Sequence, residues 1–485
     1  MLPLWIFSEG DQKRGLGHLS RCSAYAAAWR LQGGEVHWVV DGDNTAQKFL
    51  STEKITWRKW NKDKLFNLAD HAVALVDSYC APLTVLQKIS VSFLHTVYLD
   101  DTFRIPYPKG LVIHAACCAS SQDTGDTHWL TGHRWQPLRP EFWDRKERNI
   151  IRNHIQNILI IMGGTDTSNL TASVYEITRK EFPLAIIHVV TNNIIIEDPN
   201  CKNHSQLNAQ EIANLMYTCD IAISAAGQTM FELIACTLPS IIIKTAENQS
   251  HQIQSMEEND LFELIENWSN DNIKEKIMMK IKNLKCIETR MEYIHNMRST
   301  RTMNGAIEMA GIFKKSEKIR THIEHHGIKY SPFFLLNENE KLSILSIRNM
   351  LEIRSSMFNT NIISTKEHFD FIKRQANDIC SIHYAAIHEG KIFGSVSLEK
   401  IDWQLKECRL DIYKDPDSRW RGFGVRLLSF IKMIAFNVLE FEKITLAVKI
   451  DNAKAIASYR KSGFLDEHIN NPRDGVVNMY LKRDN

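Results

Sequence analysis

The sequence predicts an α/β protein in which two doubly wound, parallel-sheet units stand in tandem ahead of a smaller third domain. Three observations carry this. Short apolar runs alternate with longer amphipathic stretches through the first two thirds of the chain. A glycine-containing loop joins the first apolar run of each unit to a helix. A stretch rich in charge and histidine, residues 314–339, then separates these units from a new pattern. Strands spaced by helices imply parallel sheets with crossover connections, and 485 residues exceed the roughly 100–200 of a usual single domain.

In the first unit, residues 3–7, 35–40, 72–76, 97–99 and 111–114 are short apolar runs of the kind that form buried strands. A second set follows the segment Leu138-Arg139-Pro140-Glu141-Phe142: residues 157–162, 185–190, 220–224 and 240–244. The expected divisions are 1–143 and 144–313 for the two units, 314–339 for a linker with some helix, and 340–485 for the last domain. In such units ligands bind beyond the carboxyl ends of the strands, so the informative residues belong in the loops that follow them.

Composition narrows the function classes. With 44% apolar and 24% charged residues the chain is an ordinary globular one. Its 59 Lys and Arg nearly balance 57 Asp and Glu, which leaves no basic field to gather nucleic acid or anionic membrane. The ten cysteines fall into no metal-type spacing, so reduced thiols and no metal are expected. The apolar opening, residues 2–7, is too short for a signal segment or a membrane span. A cytoplasmic protein without membrane insertion is the expectation.

Gly15-Leu16-Gly17-His18 follows the first strand and opens an amphipathic helix over 19–31. Its backbone N–H groups and helix dipole therefore face the crevice. A tight turn alone would also call for these glycines, but His18 at the helix start adds an imidazole able to exchange protons near neutrality. The second unit repeats the design with Gly163-Gly164-Thr165-Asp166. Further on, Ala225-Ala226-Gly227-Gln228-Thr229 lies between a strand and a helix that carries Glu232, with Glu247-Asn248-Gln249 after the next strand. Small residues let phosphates approach a helix start, and a carboxylate one turn in can accept from both ribose hydroxyls. A solvated helix glutamate is the plain alternative for Glu232.

These motifs, in order with Val76-Asp77-Ser78-Tyr79 and Leu99-Asp100-Asp101, resemble the UDP-diacetamido-trideoxy-altropyranose hydrolases of pseudaminic acid biosynthesis. Those enzymes are metal-independent relatives of the MurG-type glycosyltransferases. The resemblance covers about residues 3–313 and implies a GT-B pair of Rossmann-like domains. It implies that His18 helps activate water beside the anomeric carbon, with Gly17 at its side and Tyr79 and Asn248 nearby. It also implies that Gly164, Thr165, Ala226, Gly227, Gln228, Thr229, Glu232 and Gln249 hold the UDP-sugar. A MurG- or SpsG-like enzyme acting on another nucleotide-linked amino sugar is the alternative.

In the last third, Arg419-Trp420-Arg421-Gly422-Phe423-Gly424 lies between a strand at 409–414 and an apolar helix at 425–437. This spacing sets consecutive backbone N–H groups at a helix start, shaped for a pyrophosphate; a surface turn with two arginines is the bland alternative. A strand at 443–450 follows, then Asn452-Ala453 and Tyr459-Arg460-Lys461-Ser462-Gly463-Phe464. The succession resembles the GNAT acetyltransferases, which implies an α+β domain with a mixed central sheet and acetyl-CoA as cosubstrate. By that resemblance Arg419, Arg421, Gly422, Phe423 and Gly424 bind the CoA pyrophosphate, Asn452 contacts the CoA arm, and Tyr459 lies near the thioester sulfur as candidate general acid. Tyr459 can equally pack against the sheet. Ile347-Arg348-Asn349, Ile353 to Phe358, Ile363-Ser364 and Glu367-His368 resemble the pseudaminic-pathway N-acetyltransferases, so Arg348, Asn349, Met357 and His368 are expected on the sugar-nucleotide side. Glu399 and Glu407 are candidates for the base, and either can instead be an exposed strand carboxylate. The resemblances together imply a fusion whose partners are a UDP-linked amino sugar and acetyl-CoA.

Overall fold

The computed structural model describes the chain except residues 63–70, 116–126, 145–147, 149, 164–165, 167–168, 247–248, 258, 267–271, 301–302, 419, 421, 468–474 and 484–485. Of the expected site residues, Gly164, Thr165, Asn248, Arg419 and Arg421 lie outside the described residues. The chain divides into two compact units, 1–310 and 311–485. No helix among the described residues is long and apolar enough to cross a membrane.

The first unit contains two parallel sheets. In chain order the first is built from β1 (Leu4–Gly10), β2 (Val36–Gly42), β3 (Ile55–Trp57), β4 (Val73–Asp77), β5 (His95–Leu99), β6 (Gly110–His114) and β7 (Thr127–Thr131). Their spatial order is β3-β2-β1-β4-β5-β6-β7. The second sheet uses β8 (Asn157–Ile161), β9 (Ile186–Val190), β10 (Cys201–His204), β11 (Ile221–Ala225), β12 (Ser240–Ile243) and β13 (Glu263–Ile265). Their order is β10-β9-β8-β11-β12-β13. Every strand expected from an apolar run in these units is present.

Central strands such as β4, β5, β11 and β12 are buried along their whole length, because helices cover both faces of a doubly wound sheet. That burial is why they read as short, largely apolar runs. Each fully buried Ile or Leu contributes on the order of 2 kcal/mol relative to exposure, and side chains of β8, β9, β11 and β12 form one continuous core with the helix Thr171–Glu181. The order of each sheet reverses beside its first strand. Beside β1 the switch point lies against β4, and beside β8 it lies against β11, where crevices open at the carboxyl ends of the strands.

The second unit contains β14 (Ile323–His325), β15 (Ile328–Pro332), β16 (Ile382–His388), β17 (Lys391–Asp402), β18 (Glu407–Lys414), β19 (Lys443–Lys449), β20 (Leu465–Asp466) and β21 (Val476–Lys482). They form one mixed sheet in the order β14-β15-β16-β17-β18-β19-β21-β20. The fold class is as expected: α/β, with parallel Rossmann-like sheets and then a mixed-sheet α+β domain. One expectation is corrected. Residues 314–339, expected as a linker, contain β14 and β15, which pair as an antiparallel hairpin and join β16. Its two-residue turn, His326-Gly327, has both φ angles positive. That is the hairpin geometry usually announced by Asn-Gly or Asp-Gly, and the histidines concealed it.

All neighbours in this sheet run antiparallel except β18 and β19, which are parallel and pair only over Glu407–Arg409 and Lys443–Thr445. Beyond those residues the two strands separate. The sheet therefore opens into a wedge between the rest of β18 and the rest of β19.

Candidate active sites

At the first switch point the helix Gly17–Leu31 follows β1, and no side chain caps its start. Asp77 is the last residue of β4, which carries it to the same point. His18 Nδ1 lies 2.7 Å from Asp77 Oδ1. A carboxylate only accepts, so Nδ1 carries the proton and Nε2 keeps the lone pair. The Tyr79 ring stands edge-on to His18 at 4.5 Å, and its hydroxyl donates to Asp101 at 2.8 Å. The structure thus brings His18 and Tyr79 together. The Tyr79 backbone N–H donates to Glu9 Oε1 at 3.1 Å, which ties the loop after β4 to β1.

Arg21, to which no motif in the sequence drew notice, sits at the centre. Its Nε and Nη2 donate to Asp77 at 2.7 and 2.5 Å, and Nη1 donates to Asp101 at 3.0 Å. Asp77 is fully buried. Burial alone would raise its pKa, but the charge of Arg21 and the hydrogen bonds from Arg21 and His18 outweigh that and hold the carboxyl well below its ordinary range. Burial, with the charge of Asp101, raises the Tyr79 phenol well above its ordinary value, so it stays protonated. The signal for Arg21 was present as helical spacing: residues three apart share one face, and Arg21 stands three after His18.

At the second switch point Gly227, with φ +133°, begins the helix Gln228–Ala235 without a side-chain cap. That angle is open to glycine and costly for other residues. Other expected side chains here are engaged within the protein. Gln228 accepts from Gln136 at 2.7 Å and donates to the Pro137 carbonyl at 2.8 Å. Gln249 donates to the Ala226 carbonyl at 2.8 Å and accepts from the N–H groups of Thr245 and Ala246. Glu232 is buried and takes a forked ion pair from Arg139 at 2.7 and 2.9 Å. Burial raises its pKa, opposed by Arg139. Thr229 is part-buried in the helix's first turn. What remains open at this helix start is backbone N–H at Gly227 to Thr229, the donor set an anionic group would use.

The second unit holds a cavity of about 480 Å³. Its floor is made by β17 and β18, through Glu399 and the cross-strand pairs Ser397 opposite Asp411 and Ser395 opposite Tyr413. The helices Glu338–Asn349 and Thr365–Gln375 with the loop 359–363 supply the other wall, through Arg348, Glu367, His368 and Phe371. Two of the expected residues, Arg348 and His368, therefore line it. Asn349 instead braces the wall, exchanging hydrogen bonds with the backbone of Ile363 at 2.8 and 2.9 Å. Met357 is not among the lining residues. His368 is bonded through Nε2 to the Lys341 carbonyl at 3.0 Å, and burial lowers its pKa.

Of the two expected base candidates, Glu399 lines the cavity but is ion-paired with Arg409 and lies 3.8 Å from His383. Glu407 is not in the lining and has Lys443 at 3.9 Å. Glu367 is spent on the capping box of its helix with Ser364. Asp411, missed in the sequence, has no ion pair among the described residues, where its carboxylate accepts from the N–H of Ile412 at 3.0 Å. Burial, then the charge of Glu399, pushes its carboxyl up to about 6. The Tyr459 phenol is pushed up to about 12 by burial and by the charge of Asp411, which places the phenol and the carboxyl within each other's field. Asp411 belongs to an alternating strand, and only the three-dimensional pairing distinguishes it from any other strand acid.

Gly422 initiates the helix Phe423–Lys432 in the left-handed region at φ +79°, again with no side-chain cap. Trp420 stacks on His388 at 4.1 Å and on Phe423 at 5.6 Å, which fixes the loop leading into that helix. Gly424 lies in its first turn. Asn452 caps the helix Ala453–Lys461, accepting from Ala455 N at 3.2 Å.

Residues 347–464 match the acetyltransferase (GNAT) family. The chain is 30% identical over 137 residues to acetyltransferase PseH of Campylobacter jejuni, covering 28% of this chain and 84% of that protein. The chain belongs to the GNAT acetyltransferase family. Acetyl-CoA is accordingly the cosubstrate of the GNAT domain, and the wedge beside β18 with the uncapped helix start at Gly422 fits an extended ligand carrying a pyrophosphate. The crystal structure of Campylobacter jejuni PseH in complex with acetyl coenzyme A matches at 24% identity and TM-score 0.26, over 32% of this chain and 99% of that one. The chain is also 26% identical over 270 residues to the pseudaminic acid cytidylyltransferase and UDP-2,4-diacetamido-2,4,6-trideoxy-β-L-altropyranose hydrolase of Helicobacter pylori. That match covers 54% of this chain and 48% of the relative, so the chain spans about half the length of that protein. A segment similar to that relative and a PseH-like GNAT domain thus occur in one chain.

Proposed function

We propose that the GNAT domain N-acetylates UDP-4-amino-4,6-dideoxy-N-acetyl-β-L-altrosamine, and that the first unit hydrolyses the resulting UDP-2,4-diacetamido-2,4,6-trideoxy-β-L-altropyranose to free sugar and UDP. In this reading residues 1–143 and 144–313 are the two halves of the hydrolase. The acetyltransferase begins with the hairpin at Ile323 rather than at 340. The observation that carries the hydrolase half is the His18–Asp77 pair at the switch point: it fixes Nδ1–H, leaves Nε2 to take a proton from water, and so supplies general-base chemistry without a metal. Backbone N–H groups at Gly227 to Thr229 receive the departing diphosphate side. Glu232 reaches the ribose only together with Arg139, which already holds both its oxygens.

In the acetyltransferase half Arg348 and His368 border the sugar, and Asp411 takes the proton from the incoming ammonium. The freed amine attacks the thioester carbonyl of acetyl-CoA, forming the amide C–N bond. As the C–S bond breaks, Tyr459 protonates the departing thiolate, and the second proton of the attacking nitrogen, released as the amide forms, restores the phenol. Gly422, Phe423 and Gly424, with Arg419 and Arg421, seat the CoA pyrophosphate.

The full chain, given acetyl-CoA and the 4-amino UDP-sugar, is expected to release CoA and UDP. The His18→Ala variant is expected to release CoA at the wild-type rate and UDP at least about a thousandfold more slowly. Unchanged UDP release from His18→Ala contradicts the hydrolase assignment.

A further inference from the structure

We propose that Arg21 is a positioning residue that locks His18 and Tyr79 into one arrangement by gripping Asp77 and Asp101 at the same time. The proposal rests on the hydrolase reading of this site and adds a residue and a device to it.

One guanidinium makes three bonds to two carboxylates that come from different strands, Asp77 at the end of β4 and Asp101 just after β5. Each carboxylate spends its second function on a different ring. Asp77 Oδ1 holds His18 Nδ1 at 2.7 Å, and Asp101 Oδ1 receives the Tyr79 hydroxyl at 2.8 Å. The Asp77 side chain is 0% exposed, and those of Arg21, His18 and Asp101 are 15%, 12% and 10% exposed. A planar fork with fixed donor directions suits this two-carboxylate grip, whereas an ammonium offers a single point of charge. Removing it would leave two carboxylates with little water and no counter-charge, and both rings would lose the anchor that orients them.

The groups facing His18 are Arg21 and Cys22 on its own helix, Asp77 and Tyr79 after β4, Asp101 after β5, and Glu9 on β1, the last through the backbone of Tyr79. Arg21 is the cation among them, with Nη2 3.4 Å from His18 Nδ1.

The test uses the full chain with UDP-2,4-diacetamido-2,4,6-trideoxy-β-L-altropyranose and the variants Arg21→Met, Arg21→Lys and Asp101→Asn. Arg21→Met is expected to lower kcat about a hundredfold or more with KM altered less than about threefold. Arg21→Lys is expected to recover roughly tenfold of that loss, since one charge remains without the fork. Asp101→Asn loosens Tyr79 and the Nη1 arm of the Arg21 grip while Asp77 still holds His18, and is expected to cost about tenfold. If Arg21→Met does not fold, the Lys variant decides: wild-type kcat overturns the clamp. An Arg21→Met enzyme whose kcat stays within about threefold of wild type overturns it as well. Imidazole 15N shifts, assigned by difference with His18→Ala, separate the two claims. A wild type that releases no UDP sinks the hydrolase reading, while the tautomer still decides the clamp: a fixed Nδ1–H in wild type and a mixture in Arg21→Met or Arg21→Lys support it, and unchanged shifts overturn it.

Discussion

Asp77 and Asp411 are both enclosed strand aspartates, yet their environments drive them in opposite directions. Asp77 meets the Arg21 fork and His18, which hold it anionic. Asp411 meets no cation in direct contact among the described residues and has Glu399 in its field, so it titrates near 6. A carboxylate locked in its charged form serves to orient a neighbour. One poised near the working pH serves to exchange a proton. Under the proposed function, that contrast in surroundings assigns the orienting role to Asp77 and the proton-exchanging role to Asp411.

The sharpest way to break the contrast is to remove the charge at each position without changing shape. Asp77→Asn presents an amide that favours the wrong His18 tautomer, and UDP release is expected to fall by about a thousandfold or more. Asp411→Asn is expected to lower acetyl transfer, followed as CoA release, by about a hundredfold. Neither variant should impair the other half's reaction, and cross-effects of similar size would show that the two assignments are confused.

The pH dependence separates them further. A base must be deprotonated to act, so CoA release in kcat/KM is expected to fall as pH drops through about 6. The stability effect has the opposite sense. A raised carboxyl pKa means that the folded state resists the charge, so this residue's contribution declines as pH rises from the unfolded value of 3.8 toward about 6. Asp411→Asn should therefore raise the thermal midpoint relative to wild type more at pH 8 than at pH 5, an outcome checked by thermal unfolding at both values. An equal shift at both would deny the raised pKa. The smallest expected effect is at Tyr459: its phenol, near 12, remains a donor at every working pH, and Tyr459→Phe should cost CoA release about tenfold.

What was legible in the sequence follows the same physics. Every central strand of the parallel sheets was readable, because burial on both faces writes an unbroken apolar run. The strands that escaped, β3, β7, β10 and β13, are the outer members of the two parallel sheets, where short segments such as Cys201–His204 carry polar residues and no continuous run. The β14–β15 hairpin escaped because His326 occupies a turn position where asparagine is the usual cue. Loops with glycine pointed to both switch points and to the start of the helix at Gly422. The carboxylates did not announce themselves: Asp77, Asp101 and Asp411 acquire their roles only when strands from distant parts of the chain set them beside Arg21, Tyr79 and Glu399. Glu232 shows the converse, since its place on the helix was legible but its forked pairing with Arg139, 93 residues away, was not.

The central claim is that two consecutive reactions on one UDP-linked sugar are carried by one chain, and the most direct measurement is the order of product release. Purified full-length protein is mixed with UDP-4-amino-4,6-dideoxy-N-acetyl-β-L-altrosamine, with and without acetyl-CoA, and free CoA and UDP are followed over time. The account predicts CoA release first, UDP release after a lag, and little UDP when acetyl-CoA is omitted. Prompt UDP release without acetyl-CoA, or CoA release never followed by UDP, would contradict it.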